Sequence, residues 1–364
     1  MTVRPLSAVI LAAGEGTRMR SERPKPLHVL CGRAMVLHVL DALAGLPLDR
    51  AVVVVGHEAD RVSKMLSEQA PAGLVPEFVE QPVQRGTGDA VAVALTAFSD
   101  DDEDGDLIVV PGDTPLLTAA TLSSLVTAHR RADAAATLLT AVIEEPAGSG
   151  RGVRGKDGRV ARVVEDRDAS EEEHAINEVN TSIYCFRRSL LAPALRRLTR
   201  DNSQGEYYLT DVVAVLYNAG YNIVSMVAAD PMETAGINDR AQLAVAEAEL
   251  RDRTNSRWMR HGVTMLDPER TYVDASVVLG RDVTLFPGTV LQGDTVIGDG
   301  AEIGPDTRLV HCVVGESAVV ENSVGRLAEI GAGARVGPFA ALAPGSRVAP
   351  GTVTGPFHVG ESEV

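Results

Sequence analysis

A glycine-rich turn near the N-terminus carries residues suited to binding phosphate groups. Residues 11–19 read LAAGEGTRM directly after an apolar run, and Lys25 follows within RPKPL. Such a turn lets backbone N–H groups approach phosphate oxygens, and Arg18 and Lys25 add fixed positive charge for a triphosphate. The turn is neither a Walker A loop nor a Rossmann GxGxxG motif, because neither pattern occurs in it.

A second motif, QPVQRGTGDA at residues 81–90, combines a glutamine with a glycine–threonine turn. The Gln81 amide has a donor and an acceptor, which match the hydrogen-bonding edge of uracil. The turn at Gly86 and Thr87 can present backbone groups to the same base. Taken alone, the segment is also typical of a polar turn that caps the next helix.

Two oxygen-bearing side chains are candidates for a metal site. Asp113 lies in PGDTPL, directly after an apolar run, and Asn238 lies in GIND. A carboxylate at the C-terminal edge of a parallel sheet is well placed to hold Mg²⁺, and the asparagine could supply a second oxygen. An aspartate in an ordinary turn before a helix is the alternative.

Polar residues between positions 150 and 211 suit sugar recognition. Carboxylate, amide and hydroxyl groups can bind the hydroxyl and N-acetyl groups of a hexose. Glu165, Asn180 and the segment 202–211 carry such groups, although each residue taken alone is more typical of an ordinary surface position.

Alternating strand and helix patterns would position these residues. Short apolar runs fall at 7–11, 51–55 and 107–110, and helix-like stretches at 35–44, 58–68 and 88–98. The alternation predicts βαβ units, and hence an α/β fold with a Rossmann-like, mostly parallel sheet. The charge run at 100–106 is expected to be a solvated loop. The stretch 241–261 reads as a connecting helix.

After residue 270 the pattern changes to a six-residue period. Its aliphatic positions are Leu279, Leu285, Leu291, Ile297, Ile303 and Leu309, and after a slip in phase Ile330, Val336, Leu342 and Val348. This hexapeptide pattern predicts a short left-handed parallel β-helix of four or five coils. The predicted divisions are an α/β domain that carries the motifs above at 1–240, a connecting helix at 241–262 and the β-helix at 263–364.

The amino-acid composition argues against some classes of binding partner and indicates the cellular compartment. The net charge is −16, which argues against nucleic acid and anionic membranes. No apolar stretch approaches the length of a membrane span. The three cysteines are widely spaced, so we expect free thiols and a cytoplasmic protein.

The motifs together resemble the sugar nucleotidyltransferases, closest to the bifunctional N-acetylglucosamine-1-phosphate uridylyltransferase/glucosamine-1-phosphate acetyltransferase family. The G-x-G-T-R turn followed by P-K-P and the Q-P-x-x-x-G-T-G-x-A motif carry the resemblance, which covers residues 5 to about 250 and the start of the β-helix. It implies that UTP and N-acetylglucosamine 1-phosphate form UDP-N-acetylglucosamine and pyrophosphate with Mg²⁺. It also implies a homotrimer assembled through the β-helix.

The resemblance assigns roles to individual residues. Leu11, Ala13 and Gly14 would line the nucleotide, and Arg18 and Lys25 its phosphates. The uracil would be read by Gln81, Gly86 and Thr87, and the metal held by Asp113 and Asn238, with Arg18, Lys25 and Asp113 the catalytic set. The sugar would face Gly152, Glu165, Asn180, Tyr207 and Thr210.

Departures from the family pattern leave the identity of the sugar substrate undetermined. Arg151 stands where an aromatic is common, Val153 where arginine is common, and Ser182 where glycine often follows N-T; Pro111 also departs. A second hypothesis is therefore a nucleotidyltransferase for another sugar 1-phosphate. A third is a non-catalytic nucleotide-binding or scaffold relative, which the intact phosphate and metal motifs disfavour.

The C-terminal part suggests that the acetyltransferase activity is missing. The family's L-R-P-G reads LAPG at 342–345, and the stretch 357–361 lacks the lysine of F-V-E-V-K. The β-helix is also about half the length usual in the family. His358 is expected to be a surface residue rather than a substitute for the catalytic histidine.

Overall fold

The computed structural model describes residues 4–99, 103–144, 146 and 148–360. The chain divides into two compact units. One comprises the residues up to 242 except 29–33, and the other comprises 29–33 together with the residues from 243 onward. Glu361, the last residue of the altered acetyltransferase stretch, lies outside the described residues.

Strands and helices alternate through most of the chain up to residue 242. In chain order they are β1 (Leu6–Ala12), β2 (Val29–Leu30), β3 (Arg33–Ala34), α1 (Met35–Ala44), β4 (Arg50–Val55), α2 (Ala59–Gln69), β5 (Pro76–Glu80), α3 (Thr87–Ala94), β6 (Asp106–Pro111), α4 (Ala119–Arg131), β7 (Ala136–Val142), β8 (Arg151–Arg154), β9 (Val160–Val164), α5 (Glu171–His174), β10 (Glu178–Arg187), α6 (Arg188–Leu195), α7 (Asp211–Asn218) and β11 (Ile223–Val227).

The main sheet is a mixed, mostly parallel one. Its strand order is β11-β7-β10-β6-β1-β4-β5, with the pair β8 and β9 attached to β10. Strands β1, β4, β5 and β6 run parallel, whereas β10 is antiparallel to both β6 and β7. The predicted Rossmann-like α/β fold is confirmed.

Burial on both faces explains why the strands read as continuous apolar runs. Along β1, Val9 packs into the hydrophobic core on one face of the sheet and Ile10 into the core on the other. Successive strand residues point to opposite faces, so a strand covered on both sides needs apolar residues throughout. The predicted strands and helices therefore match the observed ones closely, except that α3 ends at Ala94 and continues as a 3₁₀ turn.

The charge run at 100–106 is only partly a solvated loop. Residues 100–102 lie outside the described residues, and 103 and 104 are exposed. Asp106, in contrast, opens β6 and is 1% exposed. Its carboxylate accepts a hydrogen bond from Nε of Arg130 at 2.6 Å and pairs with Arg4 at 3.0 Å, and these partners compensate for its burial.

The helix α8 (Arg240–Arg260) is followed by short strands. These are β12 (Thr264–Met265), β13 (Tyr272–Val273), β14 (Val278–Leu279), β15 (Thr284–Leu285), β16 (Val290–Gln292), β17 (Val296–Ile297), β18 (Glu302–Ile303), β19 (Arg308–Val310), β20 (Val313–Val314), β21 (Val319–Val320), β22 (Val324–Arg326), β23 (Glu329–Ile330), β24 (Arg335–Val336), β25 (Ala341–Leu342), β26 (Arg347–Val348) and β27 (Val359–Gly360).

These strands form three parallel sheets, as a β-helix requires. The sheets are β12-β15-β18-β21-β24, β13-β16-β19-β22-β25-β27 and β14-β17-β20-β23-β26. The aliphatic residues of the six-residue period pack together in one buried core. The predicted β-helix is confirmed.

The slip in phase has a structural cause. Between Leu309 and Ile330 the inward positions are Val314, Val320 and Gly325, so three of the four steps are five residues long instead of six. Gly325 occupies a core position, where an added Cβ would lie 3.1 Å from the Leu309 side chain. The β-helix thus continues through the slip on shorter turns.

None of the helices in the described part of the chain is long and apolar enough to cross a membrane. Cys31, Cys185 and Cys312 are buried free thiols, as predicted.

Candidate active site

A cleft of about 760 Å³ lies at the C-terminal edge of the parallel strands in the first unit. Its volume falls in the range of small-molecule sites. Most of the predicted site residues line it: Leu11, Ala13, Gly14, Arg18, Lys25, Gln81, Gly86, Thr87, Asp113, Glu165, Asn180 and Asn238. Gly152, Tyr207 and Thr210 are outside that lining.

The first turn is shaped by two glycines with different roles. Gly16 has φ 68°, and an added Cβ would lie 2.5 Å from Cβ of Lys25. Glycine is therefore needed there so that the Lys25 side chain can cross the turn. Gly14 has no neighbour within 4 Å of an added Cβ, so its wall of the cleft is open to a ligand.

Two cations and two oxygen ligands meet at the end of β6. The Lys25 ammonium forms an ion pair with Oδ2 of Asp113 and donates to Oδ1 of Asn238 at 3.1 Å. Arg18 donates to the same Asn238 oxygen at 2.8 Å. The loop before Asn238 is held in place because the Ile237 amide donates to the Asp113 carbonyl at 2.9 Å.

This arrangement fits a divalent cation that also binds substrate. Asp113 and Asn238 already share one positive group, the Lys25 ammonium, so both oxygens can face a common cation. The described residues contain no cluster of three or more His, Cys, Asp or Glu side chains that could enclose a metal. Proteins usually bind Mg²⁺ through one or two side-chain oxygens, and substrate phosphates and waters complete its coordination shell.

The Gln81 amide at the opposite end of the cleft is fixed by neighbouring acceptors. It is 2% exposed, and its Nε2 donates to Oδ2 of Asp89 at 2.8 Å and to the Gly86 carbonyl at 3.3 Å. A carboxylate can only accept, so the nitrogen must face Asp89. The sequence suggested that Gln81 offers both a donor and an acceptor, but its donors are occupied within the protein and its carbonyl oxygen remains for a ligand.

The turn at Gly86 is built around the segment containing Tyr207. Gly86 has φ 108°, and an added Cβ would lie 2.5 Å from the Tyr207 carbonyl. The Tyr207 amide donates to the Arg85 carbonyl at 2.8 Å, and the Thr87 hydroxyl accepts from the Leu209 amide at 3.0 Å. Tyr207 thus supports the Gly86 turn through its backbone.

Glu165 brings a carboxylate to the cleft wall, and Thr210 holds it from outside the lining. The Thr210 hydroxyl donates to Oε1 of Glu165 at 3.0 Å, so Thr210 contacts the cleft through this carboxylate. Burial raises the pKa of Glu165, with smaller contributions from the charges of Asp211 and Asp168, although the Thr210 hydrogen bond opposes the shift. The protein thereby makes the carboxylate of Glu165 easier to protonate.

Asn180 lies beside an irregularity in β10. The pairing of β10 with β7 shifts between Asn180 and Ile183, and Ser182 has φ 61°. Such bulges re-aim side chains next to active sites. A positive φ also explains why glycine suits the position of Ser182.

Gly152 lies within β8 and is not part of the cleft lining. Gly152 pairs with Val163 in the two-stranded extension, while Gly150, two residues earlier, lines the cleft. Arg151 is 2% exposed, and its Nη2 lies 3.2 Å from Oδ1 of Asp166. The departure at Arg151 is therefore accommodated by an ion pair between the buried guanidinium and the partly exposed Asp166 carboxylate.

Several cleft residues escaped the sequence reasoning. Gln84, Thr181 and Ser182 line the cleft, and Asp89 and Tyr184 hold the amides of Gln81 and Asn180. Asp89 could have been noticed, because a carboxylate in the first turn of a helix lies close to the residues that precede it. Tyr184 gave no such signal, since it reads as an ordinary buried strand residue.

Comparison with known proteins agrees with this geometry. The MobA-like NTP transferase domain family matches residues 8–215. The bifunctional protein GlmU of Thermobifida fusca is 46% identical over 90% of this chain and 68% of its own length. The chain belongs to the sugar nucleotidyltransferase family, close to GlmU.

Other relatives extend the match across genera. GlmU of Streptomyces avermitilis is 46% identical over 91% of this chain and 68% of its own length. GlmU of a Geobacillus species is 44% identical over 89% of this chain and 69% of its own length. The chain is thus a sugar-1-phosphate nucleotidyltransferase, an enzyme of a type that uses a divalent metal, and the hypothesis of a non-catalytic relative loses its basis.

Proposed function

We propose that the enzyme transfers the uridylyl group of UTP to N-acetylglucosamine 1-phosphate and releases pyrophosphate. The observation that carries the choice of base is the buried Gln81 amide, whose nitrogen is occupied by Asp89 and Gly86. The remaining carbonyl oxygen accepts from N3–H of uracil. Cytosine carries a lone pair at N3 instead, so it would be disfavoured at this position.

The reaction is an in-line displacement at the α-phosphorus of UTP. A phosphate oxygen of the sugar phosphate forms the new P–O bond, and the bond to the bridging oxygen of pyrophosphate breaks. Lys25 and Arg18 converge on Asn238 and line the same cleft as Gly14. Their charges would neutralise the charge that develops on the phosphates. Positioning and charge neutralisation provide most of the rate in such transfers.

Mg²⁺ is the metal we assign to Asp113 and Asn238. When bound, it would supply charge neutralisation on the phosphates. The Lys25 ammonium contacts both oxygens, so it lies where it can neutralise phosphate charge beside the metal that they would hold.

The sugar would lie against Glu165 and Asn180, with Thr210 holding Glu165. These groups offer hydrogen-bond partners to a hexose, and the Asn180 carbonyl oxygen is a buried acceptor suited to an acetamido N–H. A sugar 1-phosphate with a different substituent is the second candidate substrate. The buried Arg151, which departs from the family pattern, favours this alternative.

We further propose that this chain has no acetyltransferase activity. The support is Ala343, which stands where the resembled family has an arginine. Incubation of the purified chain with glucosamine 1-phosphate and acetyl-CoA, followed by release of free thiol, tests this. Thiol release above that of a boiled sample would contradict it.

Self-association as a homotrimer is proposed for the β-helix. Val278, Val296 and Val313 lie in register on one sheet and are each about half exposed. An aliphatic ladder on a flat sheet face is costly to leave in water. Val296→Glu should lower the sedimenting mass, whereas Val324→Glu on another sheet should not; a trimer that survives the first change would refute this interface.

We place the enzyme in the cytoplasm, because its three free buried thiols suit a reducing compartment. Cell fractionation with an antibody tests this, and recovery outside the cytoplasmic fraction would overturn it.

The decisive assay is pyrophosphate release with Mg²⁺ and UTP. N-acetylglucosamine 1-phosphate, glucosamine 1-phosphate and glucose 1-phosphate are compared at matched concentrations, and CTP replaces UTP in a parallel series. Preference for UTP and N-acetylglucosamine 1-phosphate supports the proposal. Turnover only with another sugar would retain the reaction and reject the substrate, and turnover with CTP alone would reject the role of Gln81.

A further inference from the structure

The Asn180 side chain at the sugar end of the cleft is held in one orientation by a residue behind it. Its Nδ2 donates a hydrogen bond to the Tyr184 hydroxyl at 2.7 Å. Its Oδ1 is buried and has no hydrogen-bond partner among the residues that the structure describes. Asn180 is 7% exposed and lines the cleft, so the unpaired oxygen belongs to a group at the boundary of the substrate site.

An unpaired buried acceptor is costly unless a ligand satisfies it. A buried oxygen without a partner has lost its hydrogen bonds to water and gained none in return. Most of the neighbouring polar groups are paired: the Asn180 amide N–H donates to the Gly150 carbonyl at 2.8 Å, and Thr210 donates to Glu165 at 3.0 Å. The Oδ1 atom of Asn180 is therefore the acceptor to which a bound molecule must donate a hydrogen bond.

Tyr184 is rigidly placed for its contact with Asn180. It is 1% exposed, lies on β10 between β6 and β7, and its ring stacks on Phe186 at a centroid distance of 5.3 Å. Burial, and then the nearby charge of Glu165, raises the pKa of Tyr184, so the phenol stays protonated at neutral pH. The Ser182 side chain is a second hydrogen-bond partner of this hydroxyl, and its contact, like that of Asn180, opposes the rise in the Tyr184 pKa.

We propose that Tyr184 is a positioning residue that selects sugars carrying an N–H donor, because it turns the carbonyl oxygen of Asn180 toward the substrate. The inference rests on the proposed sugar phosphate reaction and deepens its specificity. Asparagine could otherwise rotate by half a turn and present either an acceptor or a donor. An acetamido N–H can only donate, so it requires the acceptor; a hydroxyl accepts or donates and tolerates both orientations.

The Tyr184→Phe variant tests this chemistry because it keeps the ring and removes only the hydroxyl. The ratio of kcat/KM for N-acetylglucosamine 1-phosphate to that for glucose 1-phosphate should fall about tenfold, from the loss of one oriented hydrogen bond. The fall should appear mainly in KM for the N-acetylated sugar phosphate, with KM for UTP unchanged. Tyr217→Phe, which removes a tyrosine hydroxyl outside the cleft lining, is the matched control and should keep the wild-type ratio.

A double-mutant cycle separates positioning from a general structural role. In an Asn180→Ala background there is no amide to orient, so adding Tyr184→Phe should leave the ratio unchanged. An equal loss in both backgrounds, or an equal loss for both sugars, would overturn the role of Tyr184. A wild type without preference for the N-acetylated sugar would instead reject the proposed substrate, so the two failures are distinguishable.

Discussion

Replacing Asp89 should weaken the discrimination between uracil and cytosine. The carboxylate accepts from Nε2 of Gln81 at 2.8 Å, and the Gly86 carbonyl accepts from the same nitrogen at a longer 3.3 Å. In Asp89→Ala the shorter contact is lost and only the weaker carbonyl contact holds the amide. Gln81 can then turn its nitrogen toward the base and donate to N3 of cytosine.

The magnitude follows from the type of hydrogen bond removed. Hydrogen bonds to charged groups contribute roughly 1.5–3 kcal/mol. Because Asp89 is only half-buried, we take the lower end, about 1.5 kcal/mol, which corresponds to about tenfold in a rate constant ratio. The preference for UTP over CTP, expressed as a ratio of kcat/KM values, should therefore fall about tenfold.

Steady-state pyrophosphate release with each nucleotide at saturating sugar phosphate measures this ratio. Asp89→Asn is the matched control, because an asparagine oxygen can still accept from Gln81, so most of the preference should remain. Thermal unfolding checks that the first turn of α3 tolerates both changes. If Asp89→Ala keeps the full wild-type preference, then either the Gly86 carbonyl suffices to hold Gln81 or Gln81 does not read the base, and the reasoning fails.

Three further changes test the phosphate end and the buried charge. Asp113→Ala should abolish turnover with little loss of folding stability; a wild-type rate at saturating Mg²⁺ would show that Asp113 holds no metal. Gly16→Ala should lower kcat because its Cβ displaces Lys25, whereas Gly14→Ala should fold normally and raise KM for UTP; equal kinetics for the two variants would contradict this distinction. Asp106→Asn should reduce the free energy of unfolding in urea by roughly 1.5–3 kcal/mol at pH 7.

The last effect should depend on pH in a defined direction. Burial alone would raise the pKa of Asp106, but hydrogen bonds from His129 and Arg130 lower it below its usual value. A carboxylate with a lowered folded pKa contributes its full stability above its unfolded pKa of about 3.9 and loses it as the pH falls toward the folded pKa. The wild type should thus approach Asp106→Asn in stability below about pH 4, and a constant difference down to pH 2 would contradict the assignment.

Local patterns explain how far the sequence could predict this fold. The run around β1 is apolar at every position except Ser7 because both faces of the sheet are covered. The six-residue period of the β-helix reflects one inward side chain for each short strand. The shortened turns broke that period, so the core position of Gly325 could not be read from it. Asp106 was misassigned because its partners Arg4 and Arg130 lie far from it in the chain.

The sequence by itself determined which chemical groups are available: Lys25, Gln81, Asp113 and the glycines that let a nucleotide approach. Only the tertiary structure decided which atoms of those groups face the cleft. Asp113 and Asn238 are far apart in the sequence, but the folded chain brings both into contact with the Lys25 ammonium. The orientation of the Gln81 amide depends on its hydrogen bond to Asp89. A hydrogen bond depends on the direction of one atom, and that direction is set by packing, which local sequence does not encode.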